Sequence, residues 1–527
     1  MNQRQVRSQV VYPDSLVIAI FICLLTILCL LQISAQFLHW FVIPVTLCGI
    51  LIGIDAIDWF RGRLNLFDPV GIIGLLGFHF FFVAPLLHVG LDFWIDSDII
   101  PPTDWRPWLG GMAILNFLGL GIYRFTRNII FNASQNQPTQ TIWQINHQRF
   151  FPIISIALII SASLQLMVYQ KFGGILNYIE AANRSAMGGG ENEFQGMGIL
   201  FVLSESFPIL AMMAFTIYAK TNKRLQNVKV LLGVLIIFLI LQFLFGGLRG
   251  SRSNTIWAMF WVVGIIHFWL RQISKKQIAI GLVFLVLFMY IYGFFKTGGL
   301  EAVTTALQGQ EARVTLEEKS GRSWQSLVLQ DLGRSDVQAF LLYRILRQDS
   351  DYEYAWGRTY LPALTMLIPS AIMPDKPPDK MKEGTEVQYG KGTYDPIFLN
   401  SSKVYGLAGE TMLNFGPYVV PIAFIALGIV VGQVRRCLCD WTRGDDRLLM
   451  LPFLINFCFI ILASDSDNYI FFLFKNGSLA SFVIFLTSDR KVIPNPNLES
   501  RHLNSNFLKK HTLNKIEQRH KNRSLSK

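Results

Sequence analysis

The sequence predicts an all-α polytopic membrane protein with about 12 transmembrane helices, and three observations carry that prediction. First, 52% of its 527 residues are hydrophobic and only 16% are charged, with a mean hydropathy of +0.39. That charge content is too low for the surface of a soluble protein of this length. Second, long apolar runs recur along the chain. Each approaches the ~20 residues that cross a hydrocarbon core of ~30 Å at a rise of ~1.5 Å per residue. Third, lysines and arginines collect in alternate connections between those runs, as membrane topology requires.

The same third observation disposes of a nucleic-acid reading. The net charge of +12 is distributed between apolar runs rather than gathered into one basic face. The six cysteines lie in apolar runs or in a connection placed inside. None lies in the largest outer segment, so disulfides are not expected to staple it. Neither the cysteines nor the eight histidines form a metal-ligand pattern, and no metal and no cofactor is expected.

In chain order the expected spans are 15–32, 37–54, 70–89, 108–123, 150–169, 199–219, 230–245, 255–270, 278–295, 418–434, 448–463 and 469–486. Placing the N-terminus inside puts 18 lysines and arginines in the inner connections and N-terminal segment, against five in the short outer ones. The chain then divides at 1–296, 297–417, 418–487 and 488–527. The first and third parts are membrane helices. The last is a polar, basic tail with ten lysines and arginines after residue 486, expected inside and unstructured. The second is one large outer loop, too long for a passive connection. It carries 15 acidic and 12 basic residues. Within it, 325–348 reads as one amphipathic helix, because Leu327, Leu332, Val337, Leu341 and Ile345 recur at helical spacing. The stretch 360–373 is apolar, short and interrupted by Pro362 and Pro369, which suits an interfacial segment that does not cross.

The outer turn between the seventh and eighth spans contains Gly246, Gly247, Arg249, Gly250 and Arg252. Two readings stand for its arginines. They can snorkel to lipid headgroups, or they can capture an anion with planar guanidinium forks beside a glycine-rich backbone. Glu205 lies about two turns into the sixth span. A carboxylate there needs a polar cavity or a partner. It suits a general acid or base, or else an ion pair with Lys475, which lies at similar depth in the last span. The outer loop around Arg184, Gly188, Glu191 and Glu193 suits either a mobile lid or a plain connection. The large loop adds Arg322, Arg344, Arg358 and Glu410. No Walker-type loop, zinc-protease helix or nucleophile elbow is present in the sequence.

Three stretches resemble the Wzy-type O-antigen and capsule polymerases, also called oligosaccharide repeat unit polymerases. They are the outer turn Gly247-Leu248-Arg249-Gly250-Ser251-Arg252, the run from Trp356-Gly357-Arg358-Thr359-Tyr360 through Pro369 to Lys376, and Gly409-Glu410 to Asn414-Phe415-Gly416. The resemblance covers 150–490 and includes the single large loop late in the chain. It implies a metal-independent membrane glycosyltransferase with a GT-C-like bundle and a periplasmic loop, multi-pass in the bacterial inner membrane with both termini cytoplasmic. The substrate would be an oligosaccharide on undecaprenyl pyrophosphate. A flippase, a chain-length regulator and membrane lipid would be its partners. By this reading Glu205 or Glu410 takes a proton from a sugar hydroxyl. Arg249, Arg252, Arg184, Arg322, Arg344, Arg358 and Lys475 bind pyrophosphate or glycan. An O-antigen ligase is the nearest alternative, but ligases of that family use a histidine in the large loop, and 297–417 has none. A lipid-linked oligosaccharide flippase is the alternative from another class. It would not need so long a loop on one face.

Overall fold

A computed structural model describes residues 12–95, 99–133, 139–186, 194, 196–249, 252–320, 323–347, 350–366, 368, 372–373, 376–377, 380–395, 403–441 and 444–494. Arg322 and the loop residues Gly188, Glu191 and Glu193 lie outside them, as do Gly250 and most of the basic tail.

Among the described residues, eleven helices are long and apolar enough to cross a membrane: Pro13–Ile33, Val42–Phe60, Pro69–Leu91, Arg106–Asn132, His147–Lys171, Gly198–Ala219, Val228–Gly247, Arg252–Leu270, Lys275–Phe295, Pro417–Asp440 and Ser466–Thr487. The chain is therefore a multi-pass helical membrane protein. The segment expected as a twelfth span is a 13-residue helix, Leu451–Ala463. It is nearly all buried and packs against both of the main hydrophobic clusters. Its length falls short because a 3-10 turn, Asp446–Leu449, takes over the start of the apolar run. Pro452, at the start of the helix, favours that break.

One cluster gathers the first four membrane helices, Pro417–Asp440 and the loop helices Ser335–Leu346 and Gly406–Phe415. The other gathers His147–Lys171, Gly198–Ala219, Arg252–Leu270 and Ser466–Thr487. Arg106–Asn132 and Pro417–Asp440 touch backbone to backbone. A Cβ at Gly428 would lie 2.9 Å from the Tyr123 carbonyl oxygen, and one at Gly432 would lie 2.9 Å from that of Arg127. Small residues at such a contact are the usual means of close helix packing in lipid.

Several arginines expected on the inner side do more than set topology. Arg127 pairs with buried Asp55 at 2.8 Å, Arg124 reaches the same carboxylate at 3.4 Å, and Arg435 meets Asp68 at 3.3 Å. Carboxylates inside a bundle are retained only with such partners.

Three further expectations differ from the structure. The helix that ends the ninth span runs on from Lys275 to Gln308, a length of about 51 Å at 1.5 Å per residue, so it stands well clear of a ~30 Å core. The single amphipathic helix expected over 325–348 is two pieces, a π-turn Ser326–Asp331 and a helix Ser335–Leu346. A Cβ at Gly333 would fall 2.4 Å from the Leu329 carbonyl oxygen, so the chain turns there. The fold is all-α as expected apart from one small two-stranded sheet, and that sheet takes in the start of the basic tail. Strands Thr139–Ile145 and Ser488–Pro494 pair antiparallel, with Trp143 opposite Arg490. The first seven residues of the expected unstructured tail are therefore ordered. Arg490 lies over the Trp143 ring, 4.7 Å from its centroid.

Candidate functional site

The Glu205 carboxylate sits where its membrane helix is broken. Gly198–Ser204 ends at Glu205, and Phe207–Ala219 begins with Pro208 in its first turn. Pro208 has no N–H to return to the Ser204 carbonyl. The Ser161 hydroxyl, from a neighbouring helix, donates to Leu203 O and Ser204 O, both at 2.8 Å. The break turns Glu205 into the interior, where it pairs with both Arg249 and Lys475. Glu205 and Lys475 are buried. The Arg249 guanidinium also covers the Phe201 ring at 3.9 Å. Of the two readings for Glu205, the structure thus contains the ion pair with Lys475. It adds Arg249, giving two cations on one carboxylate.

Gly246 serves this triad directly. A Cβ there would lie 2.9 Å from Glu205 Oε2, so the π-turn Phe243–Gly247 can press on the carboxylate only as glycine. That is a packing role, beside the expected one in which glycines open backbone N–H groups to an anion. Ser204 Oγ, Arg249 Nε and Thr255 Oγ1 are buried side-chain atoms on the same segments without a protein hydrogen-bond partner. They mark this interior as polar.

Arg252 points elsewhere. Its guanidinium holds Asp331 through two contacts, Nη1 to Oδ2 at 2.8 Å and Nη2 to Oδ1 at 3.0 Å. This bidentate pair ties the turn to the large loop. Arg334 follows closely in sequence and is capped by its own backbone, donating to Asp331 O at 3.2 Å. Burial pushes the Arg334 guanidinium below its ordinary value, while Asp465, Asp331 and Asp336 oppose the shift.

A second carboxylate centre lies around Glu410, on Gly406–Phe415. Its Oε1 accepts hydrogen bonds from Thr359 Oγ1 at 2.8 Å and Ser466 Oγ at 2.5 Å, and its Oε2 accepts one from Ser466 N at 2.6 Å. Asn414 Nδ2 donates to Thr359 Oγ1 at 2.7 Å and fixes that hydroxyl. Beside it, Asp465 Oδ1 accepts from the N–H groups of Tyr405 (2.9 Å) and Gly406 (2.7 Å). Its other oxygen pairs with Lys380, which also reaches Asp467 at 3.0 Å. Burial, with Asp465 adding to it, pushes the Glu410 carboxyl up to about 7. Burial likewise raises Asp465 although Lys380 opposes it. Burial works against the Lys380 charge, but Asp465 and Asp467 hold it above its ordinary value.

The two centres share one helix, Ser466–Thr487. Ser466 serves Glu410 at its start, and Lys475 meets Glu205 nine residues on, about 14 Å along the axis and roughly half a turn out of phase. Glu205 and Glu410 are therefore separate sites. The Arg252–Asp331 pair is linked through Arg334 to Asp465 beside Glu410.

The remaining expected residues are dispersed. Arg344 is fully buried, donates to Val387 O at 3.1 Å and pairs with Asp351, so it braces the loop. Arg358 pairs with Glu383 at 2.9 Å on an exposed surface. Arg184 lies within 3.9 Å of Glu180 and lines an open cleft of about 630 Å³ with Lys171, Phe172 and Asn177. Sequence reasoning missed Thr359, Lys380, Asp465 and Ser466. The one available signal was Asp465 and Asp467, two acids in the short gap between the last two apolar runs. Among the described residues, no group of three or more histidine, cysteine, aspartate or glutamate side chains is arranged to hold a metal.

No family model matches the chain, and neither a curated protein nor a solved structure does.

Proposed function

We propose that the chain is a polysaccharide polymerase of the Wzy type, a GT-C-like glycosyltransferase whose large loop is periplasmic. It would transfer a growing glycan from undecaprenyl pyrophosphate to a lipid-linked repeat unit at the outer face of the bacterial inner membrane. The observation that carries the reading is Glu410. It is a buried carboxyl pushed up to about 7, next to the start of two apolar helices and linked electrostatically through Asp465, Arg334 and Asp331 to Arg252 of the outer turn. A base poised near the working pH is what deprotonation of a sugar hydroxyl requires. In the step itself, the acceptor hydroxyl oxygen bonds to the anomeric carbon of the donor, and the bond from that carbon to pyrophosphate breaks. The hydroxyl proton passes to Glu410, and undecaprenyl pyrophosphate leaves as the anion. Lys380 and Arg334 stand next to Glu410 through Asp465, and Arg252 follows through Asp331, as the cations for that leaving charge. Arg249 and Lys475, with one carboxylate between two cations, supply a second site of net positive charge.

The buried Glu205 triad favours one other reading, a flippase for the same lipid, since charge at membrane depth marks transport pathways as well. One experiment separates them. In a strain lacking its own polymerase, Glu410→Gln should leave single repeat units on the outer face and abolish the long glycan ladder. Arg252→Ala should shorten the ladder in the same way. A normal ladder from Glu410→Gln would remove the base from the proposal. Loss of outward-facing single units would favour the flippase.

A further inference from the structure

The surface beside Glu410 is apolar on both sides of a very short helix. Tyr360–Thr365 turns Pro362, Ala363 and Thr365 inward against the Ser466–Thr487 helix. It leaves Leu361, Leu364 and Met366 exposed, Leu364 by 59%. Trp356 next to it is 73% exposed. A loop helix facing water would carry polar residues on that side.

This face does not stand alone. Trp356 N donates to Asn414 O at 3.0 Å. The Phe415 ring lies 6.3 Å from that of Trp356 and stacks on Tyr360 at 6.2 Å. Three residues on, Tyr418 is 84% exposed at the start of the membrane helix Pro417–Asp440. The outward side chains of that helix continue as Ile422, Ile425 and Ile429, spaced three or four residues apart along one stripe. The exposed apolar row is thus continuous with a lipid-facing surface. Its other edge is ionic: Arg358 pairs with Glu383, and Lys391 with Glu353 at 2.7 Å. Tryptophan and tyrosine between an apolar stripe and a charged edge are the composition of a membrane interface.

We propose that residues 356–366, with Phe415 and Tyr418, form an interfacial collar seated in the headgroup and upper acyl region of the bilayer leaflet on the Glu410 side. The occupant of this surface is bilayer phospholipid. The boundary with water runs between Arg358 and Leu361, two positions that flank Thr359, the hydroxyl that donates to Glu410. Glu410 therefore lies directly behind a lipid-covered wall, and a molecule diffusing in that leaflet meets the collar before it meets the aqueous loop. The inference stands on the membrane fold alone and does not depend on the proposed polymerase activity.

The test uses the full chain in vesicles of phosphatidylethanolamine and phosphatidylglycerol. Photoreactive benzoylphenylalanine is placed singly at Leu361, Leu364, Ile425 or Lys391, and phospholipid adducts are counted by mass spectrometry after irradiation. Ile425 is the lipid-facing reference and Lys391 the aqueous one. Adduct yields at Leu361 and Leu364 should match Ile425 and exceed Lys391 several-fold. Yields closer to those at Lys391 overturn the collar. As a second measure, Leu361→Cys and Leu364→Cys should resist a membrane-impermeant maleimide that labels Lys391→Cys. Equal labelling of all three also overturns it.

Discussion

Glu205 and Glu410 are both buried carboxylates, and their neighbours divide their roles. Glu205 faces two cations, Arg249 and Lys475, and is the shared partner of both. Glu410 faces hydroxyls and one backbone N–H, with Asp465 behind it, so its charge is costly. A sign follows for each pH. Glu410 keeps its proton up to about 7 in the folded chain, above the ordinary carboxylate value, so its ionisation between about 4.5 and about 7 costs stability as pH rises. A base must be ionised to act. Polymer synthesis by membranes at fixed substrate should therefore rise with pH through about 7 and level off above it. Glu410→Gln should reduce the rate by on the order of a hundredfold or more and abolish that dependence. A flat pH profile in the parent protein would place the base elsewhere. Lys475 and Glu205 were legible in the sequence because each is a charge in an apolar run. The surroundings of Glu410 were not. Thr359 and Ser466 come from 51 and 56 residues away and look like ordinary loop and helix-start residues until the fold assembles them.

The elements that build the triad are defined by their interruptions. Pro208 opens the helix at Glu205, and the π-turn Phe243–Gly247 brings Gly246 against it. Hydropathy reads these as two uninterrupted spans, because a proline or an extra residue barely changes the mean over a window. Helical spacing likewise merged Ser326–Asp331 with Ser335–Leu346, because the apolar spacing carries across the turn. The triad makes an asymmetric prediction. Removing the carboxylate leaves Arg249 and Lys475 facing each other, whereas removing Lys475 leaves Glu205 with Arg249. Breaking a buried ion network by losing its only anion costs roughly 3–5 kcal/mol. Glu205→Gln should therefore lower the unfolding temperature in detergent more than Lys475→Met does. The double variant Glu205→Gln, Lys475→Met should recover part of the loss, because one uncompensated cation is removed. Additive losses would show that Lys475 and Glu205 are not coupled.

At the scale of the molecule, the small sheet constrains the count of crossings. Strands Thr139–Ile145 and Ser488–Pro494 pair residue by residue, so both lie on one side of the membrane. The Asp446 carboxylate accepts from Ile145 N, and Lys220 lies 3.8 Å from the same aspartate, which places two more connections on that side. Between the strands stand seven of the eleven long helices, from His147–Lys171 to Ser466–Thr487. Seven crossings would leave the strands on opposite sides. An eighth is needed, and Leu451–Ala463 is the apolar helix available. Its 13 residues rise about 20 Å, and the 3-10 turn Asp446–Leu449 adds about 8 Å, close to a hydrocarbon core of ~30 Å. Composition showed this run as apolar; the strand pairing, which joins segments some 340 residues apart and has no hydropathy signal, requires it to cross. Alkaline phosphatase fusions after Asn222 and after Pro494 should thus report the same side, and a fusion after Lys391 the opposite one. Opposite signals from Asn222 and Pro494 would mean that the short helix does not traverse, and the sheet could not then form in the membrane.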